Sequence, residues 1–213
     1  MRFPAFACAA LSAGSVHAAS ISIESANPDK PALVVVQGSF DANDGEQFFT
    51  KTRSLTAAMV RLQSNGGGLV AGIQIGETIR LKGFQTLVPA GARCASACAM
   101  AWLGGTQRFM GPGAQIGLHS AHNAKSEQGS GVANALLGAY LNRVGLPYSA
   151  VVYITQTAPQ SITWLGIADA KRLGIEVSPL DSVVRVPDGP AQSPARTPPA
   201  SPAAMSPPLW QVP

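Results

Sequence analysis

The chain has 213 residues, 46% hydrophobic and 12% charged, with a formal net charge of +4. That is enough for one domain with a substantial core. Beyond the first residues no apolar run reaches transmembrane length, and Lys and Arg are scattered singly, without the basic clusters or aromatic–basic interleaving of a nucleic-acid-binding chain.

Met1-Arg2 followed by the apolar Phe3–Leu11 reads as a secretory signal. Val16-His17-Ala18 is a small-x-small cleavage site, so the expected divisions are a signal peptide over 1–18, a folded domain over 19–186 and a tail over 187–213. Cys8 lacks the residues of a lipoprotein box. Processing leaves Cys94 and Cys98 as the cysteines, His119 and His122 as the histidines, and 14 basic against 11 acidic residues, a net +3. The expected location is the periplasm or the medium, where disulfides persist. Cys94 and Cys98 then form either a bridge around Ser96 or two buried thiols; an i,i+4 bridge requires Cys94 to precede the helix.

In chain order, Ser20–Glu24 alternates as a strand, and Pro31–Phe40 is a second whose Val run predicts burial on both faces. A helix is expected over Asp44–Ala58 and a strand over Met59–Leu62. Gln63-Ser-Asn-Gly-Gly-Gly68 is a glycine turn opening a helix over Leu69–Lys82, with Leu69, Ile73 and Gly76 on one face and Gly72 permitting close approach. Phe84–Pro89 is the next strand. Gly91-Ala-Arg-Cys-Ala-Ser-Ala-Cys98 follows, and Ala97–Leu103 is small and apolar, as a buried helix requires. Short strands are expected at Gln107–Met110 and Ala114–His119, then a polar loop over Ala124–Gly131. Gly131–Val144 reads as a helix with Leu136, Leu137 and Leu141 inward. Ala150–Thr155 fits helix or strand, and Gly166–Leu173 is a helix ended by Gly174. Trp102 and Trp164 read as core, and Asp169 and Glu176 as solvated helix-end charges. Nine of the 17 prolines lie in Pro187–Pro213, a low-complexity tail suited to a spacer. Alternating strands and helices predict an α/β fold.

A serine at a strand-to-helix turn has unpaired helix N–H groups beside it, which favour developing negative charge; it is equally a place for an ordinary N-cap. Ser96 is the candidate nucleophile, and a histidine base is either His119 or His122. His119-Ser-Ala-His122 supplies two nitrogens without the third and fourth ligands of a metal site, so no metal or other cofactor is expected.

In this order the motifs resemble the Clp protease proteolytic subunit and the wider crotonase-like fold, over about Ser20–Val184. Leu62-Gln-Ser-Asn-Gly-Gly-Gly-Leu-Val-Ala-Gly72 is similar to the family's Asn-Ser-Pro-Gly-Gly turn, with Asn65 in place of Pro. Cys94-Ala-Ser-Ala-Cys98 is similar to its serine turn, Gly113–His119 to its His-bearing strand, and Ala168–Val177 to its closing element. The resemblance implies a ClpP/crotonase-like spiral of ββα units, with layered parallel sheets and flanking helices. It implies Ser96 as nucleophile, His119 as base, and Gly67 and Ala97 N–H groups as the oxyanion hole. A secreted branch with the Cys-Ala-Ser-Ala-Cys signature fits best. The family's acid is missing: the matching region is Gln160–Thr163, so Ser161, Thr163, a backbone carbonyl or nothing orients the imidazole. Lys125 is the alternative base, by resemblance to relatives with a Ser–Lys pair.

The implied function is an exported serine peptidase, independent of ATP, acting on peptides or unfolded chains. The alternatives are a degenerate binding or assembly module on the same fold, favoured by the missing acid, and crotonase-type acyl-CoA chemistry, which fits export poorly. A homo-oligomer is implied, without nucleic acid or stable membrane insertion.

Overall fold

The structure, a computed structural model, describes residues 18–25, 30–122 and 128–180. The proposed leader, the proline-rich tail and Lys125 lie outside the described residues, Ala18 excepted. No described helix is long and apolar enough to cross a membrane.

The Val run does what its composition requires. β2 (Ala32–Gln37) buries Val34, Val35 and Val36, to 4% exposure or less, because a neighbouring strand lies on each edge and other elements cover both faces. β1 (Ser20–Ser25) joins one edge antiparallel and β3 (Ala58–Gln63) the other in parallel. The main sheet continues through β4 (Gln85–Val88), β6 (Arg108–Met110) and the two-residue β9 (Ser178–Pro179), all parallel. β5 (Arg93–Ala95), β7 (Gln115–Leu118) and β8 (Thr163–Leu165) form a second, smaller sheet.

α1 (Asp44–Thr52) stops six residues before the expected end. The segment after it, Arg53–Ala57, is turn, and Ala58 is taken by the sheet, where it pairs with Ala32. α2 (Leu69–Leu81) and α3 (Ala97–Leu103) cross closely because glycines stand at the contact. A β-carbon on Gly72 would sit 2.3 Å from the Ala97 carbonyl oxygen, and one on Gly104 would sit 2.2 Å from that of Gly76. Every residue of α3 is at most 2% exposed, so it runs through the core beside Phe84, Ile75 and Leu62.

α4 (Gly131–Arg143) is capped by Ser130, whose hydroxyl accepts from the Ala133 amide at 3.3 Å. Leu137 and Leu141 face inward as expected, but Leu136 is 43% exposed; Tyr140 takes the third inward position, three residues beyond Leu137. The ambiguous Ala150–Thr155 segment is helical, within α5 (Tyr148–Gln156), and α6 (Ile167–Arg172) follows. Asp169 is a helix-end charge with partners: it accepts from the Gly166 amide and pairs with Arg172 at 2.9 Å. Trp102 is fully buried, whereas Trp164 is 37% exposed. Trp164 lies on an edge strand, where the Arg93 guanidinium stands 5.4 Å from its ring centroid.

Tyr140 donates to the Met100 carbonyl at 2.7 Å, which fastens α4 onto the interior of α3. Burial pushes its phenol well above the ordinary value. The folded state therefore favours the neutral phenol. Its contribution is complete below the ordinary value of about 10 and is lost as pH rises past it. Tyr140→Phe is expected to cost about 1 kcal/mol at neutral pH and to flatten alkaline destabilisation, both read from urea midpoints between neutral pH and pH 11.

Candidate active site

Two turns meet at the carboxyl ends of β3 and β5. Ser64, at the end of β3, donates its amide to the Arg93 carbonyl and accepts from the Ala95 amide, each at 3.0 Å, which links the two sheets. Its hydroxyl accepts from the Gly66 amide at 3.0 Å and so shapes the glycine turn. Gly66 and Gly67 both take positive φ, 104° and 133°. A β-carbon on Gly66 would lie 2.7 Å from that of Ser96, so this turn packs directly on the serine. Phe40 holds it from the other side: its amide donates to the Gly66 carbonyl at 2.8 Å, and its carbonyl accepts from the Gly68 amide at 2.9 Å. The Gly67 amide between them makes no hydrogen bond among the described residues.

Ser96 has φ 54° and ψ −123°, and is the single non-glycine residue at positive φ among those described. Its amide is tied to the Gly117 carbonyl at 2.8 Å, and its own carbonyl accepts from Ala99 at 2.9 Å. Its hydroxyl makes no capping bond. An ordinary N-cap uses the β region and accepts a hydrogen bond from a first-turn helix N–H with its side-chain oxygen; Ser96 does neither. The first helical amide, Ala97, is likewise unbonded among the described residues. Cys94 and Cys98 are joined by a disulfide, with α-carbons 5.1 Å apart, which ties the strand before Ser96 to the helix after it.

His119 follows the end of β7, beside β5 in parallel pairing. Its Nδ1 lies 2.7 Å from the Ser120 carbonyl oxygen. A carbonyl only accepts, so Nδ1 carries the proton and Nε2 presents a lone pair. The Ser120 amide donates to the Thr157 carbonyl at 2.9 Å. Asn134 of α4 then grips Ala121 from both sides, Oδ1 accepting from its amide at 2.8 Å and Nδ2 donating to its carbonyl at 2.9 Å. These bonds hold the segment that carries the imidazole, and neither Asn134 nor Thr157 has a sequence signal, because their partners lie 13 and 37 residues away.

Ser96, His119, Gly67 and His122 line one cavity of about 190 Å³, with Leu69, Met100 and Leu137 as its apolar wall. The hydroxyl and the imidazole share it without a direct hydrogen bond. His122 is exposed, its ring centroid 5.5 Å from that of His119. The Thr163 hydroxyl is bonded to that of Thr157 at 2.9 Å, and Ser161 is exposed, so it is the Ser120 carbonyl that occupies His119 Nδ1. No group of three His, Cys, Asp or Glu side chains stands together among the described residues. A larger cavity of about 600 Å³ beside Phe49 and Leu81 contains neither serine nor histidine, so volume alone does not locate the chemistry.

A serine at positive φ on a strand–helix turn, a glycine turn and a histidine after the next strand thus line one cavity of an α/β fold. Solved structures share that fold. A ClpP1 mutant from Listeria monocytogenes is 19% identical with a TM-score of 0.53, over 69% of this chain and 91% of its own. A mutant of the 1510-N membrane-bound stomatin-specific protease, in complex with a substrate peptide, is 21% identical with a TM-score of 0.51, over 68% of this chain and 73% of its own. A second mutant of that protease is 19% identical with a TM-score of 0.51, over 70% and 80%. No protein-family model and no curated protein matches the chain, so the likeness is one of fold.

Proposed function

We propose that this chain is an exported serine peptidase of the ClpP type, working without ATP on peptides or unfolded chains in the periplasm or the medium. The observation that carries the reading is Ser96: a strained residue whose hydroxyl is left out of helix capping and shares a cavity with His119. Strain of this kind costs about 1–3 kcal/mol and persists where the surroundings enforce it.

In the reaction, Ser96 Oγ bonds to the scissile carbonyl carbon as its proton passes to His119 Nε2. The resulting oxyanion accepts from the Gly67 and Ala97 amides, both unbonded in the free site. The imidazolium then gives its proton to the leaving amine, and water releases the acyl group by the same steps reversed. The Ser120 carbonyl replaces the family's missing acid as tautomer-setter. It supplies the correct tautomer without a full negative charge to stabilise the imidazolium, so turnover is slower than in a carboxylate-assisted triad. Leu69, Met100 and Leu137 favour an apolar side chain next to the scissile bond. The active form is a homo-oligomer.

The test is hydrolysis of a fluorogenic peptide library and of unfolded casein by the chain starting at Ala19. His119→Ala and His119→Gln are each expected to lower kcat by about 10²–10⁴-fold, the usual worth of a general base. Hydrolysis unaffected by both variants would remove His119 from the mechanism and return attention to Lys125. Folded protein with no hydrolysis would favour the binding-module alternative.

A further inference from the structure

Asp44, at the first position of α1, is fully buried. Its Oδ2 accepts from the Asp41 amide at 2.8 Å and from the Ala19 amide at 3.3 Å. Its Oδ1 is buried and has no hydrogen-bond partner among the described residues. The ion pairs among the described residues lie elsewhere, Arg143 with Glu77 and Arg172 with Asp169, and Lys51 of α1 donates to the Ile21 carbonyl at 2.8 Å. A buried carboxylate with one oxygen orphaned and no cation is an unfinished site. The α1 dipole helps it but does not supply a donor to Oδ1.

The missing donor lies at Ala19 itself. Val16-His17-Ala18 places the expected cleavage at the Ala18–Ala19 bond, and Ala19 is only 8% exposed. We propose that Asp44 is the binding site for the α-ammonium group that processing creates at Ala19. A leader peptidase adds water across the Ala18–Ala19 peptide bond. Ala18 departs as a carboxylate, and the Ala19 nitrogen, which had one N–H, becomes an ammonium with three N–H donors and a positive charge. One donor keeps Oδ2 and a second meets Oδ1.

The pairing also reaches the site. The Asp41 amide held by Asp44 follows Phe40 directly, and Phe40 clamps Gly66 and Gly68 around the free Gly67 amide. Processing thus stiffens the turn that carries Gly67. The pairing stands whether or not Ser96 is a nucleophile, so its test uses no turnover.

Four chains ending at Pro213 decide it: one beginning at Ala19, one with a single Gly before Ala19, and each again with Asp44→Asn. The Ala19 chain is expected to melt roughly 5–10 °C above the Gly-extended one, and the difference is expected to vanish in the Asp44→Asn pair. Amide exchange at Asp41 and Gly68 is expected to be at least about tenfold slower in the Ala19 chain than in the Gly-extended one. Equal melting temperatures, or a difference that survives Asp44→Asn, would overturn the proposal. If Asp44→Asn does not fold, carbamylation of the α-amino group of the Ala19 chain replaces it: a fall matching that of the Gly extension supports the pair, and no fall overturns it. Recovery of the full chain from an exporting host with any first residue other than Ala19 overturns it as well.

Discussion

Ser96→Gly is expected to make the protein more stable and inactive at once. At φ 54° and ψ −123° the backbone of residue 96 sits where glycine is at ease and a β-carbon is strained. Removing that β-carbon recovers about 1–3 kcal/mol of strain, less about 0.5–1 kcal/mol of extra unfolded-chain entropy. The net gain of about 1 kcal/mol corresponds to roughly 2–4 °C in melting temperature for a domain of this size. Ser96→Ala keeps the β-carbon and should melt close to the parent. Both variants lose the nucleophile. An ordinary helix cap behaves in the opposite sense, since losing its hydroxyl costs about 0.5–2 kcal/mol. The sign of two melting shifts, measured by calorimetry, therefore separates a strained nucleophile from a capping serine.

Gly72→Ala is expected to be strongly destabilising for a single added methyl. The new carbon would lie 2.3 Å from the Ala97 carbonyl oxygen and 2.9 Å from the Ala97 α-carbon. Both are backbone atoms, so no side chain can swing aside. Overpacking of this kind costs about 3 kcal/mol, roughly 6–12 °C in melting temperature. The strain falls on the residue whose amide is proposed to hold the oxyanion, so activity should fall even below the transition. Gly138→Ala, on α4 with open space around its α-carbon, is the control and should be neutral or slightly stabilising. Thermal melts of the two variants check this.

How much of this was legible in sequence follows the strength of each local signal. β2 carries a continuous apolar run, β3 and α2 carry clean periodicity, and all three lie where the sequence places them. The strands of two or three residues, β5, β6, β8 and β9, are too short to show alternation and exist because neighbouring strands hold them. The helix expected to Ala58 ends at Thr52: helix-compatible residues continue past Thr52, while the sheet's claim on Ala58 is a tertiary effect. Trp164 departs from the core position expected of it because size predicts burial only where an element has two covered faces. At the site, Ser96, Gly67, Ala97 and His119 are recognisable as motifs. The group at His119 Nδ1 is a backbone carbonyl, which no side-chain pattern announces. Asn134 and Thr157, which hold that segment, are legible only in three dimensions.

An activated nucleophile at Ser96 would react covalently with a phosphonate electrophile. The chain from Ala19 is treated with a fluorophosphonate, digested, and the adduct located by mass spectrometry, beside Ser96→Ala and His119→Ala. A single adduct on Ser96 is expected, absent from the first variant and formed at least about 10²-fold more slowly in the second. Folded protein that takes up no probe, with the disulfide intact or reduced and across neutral to mildly alkaline pH, would contradict it.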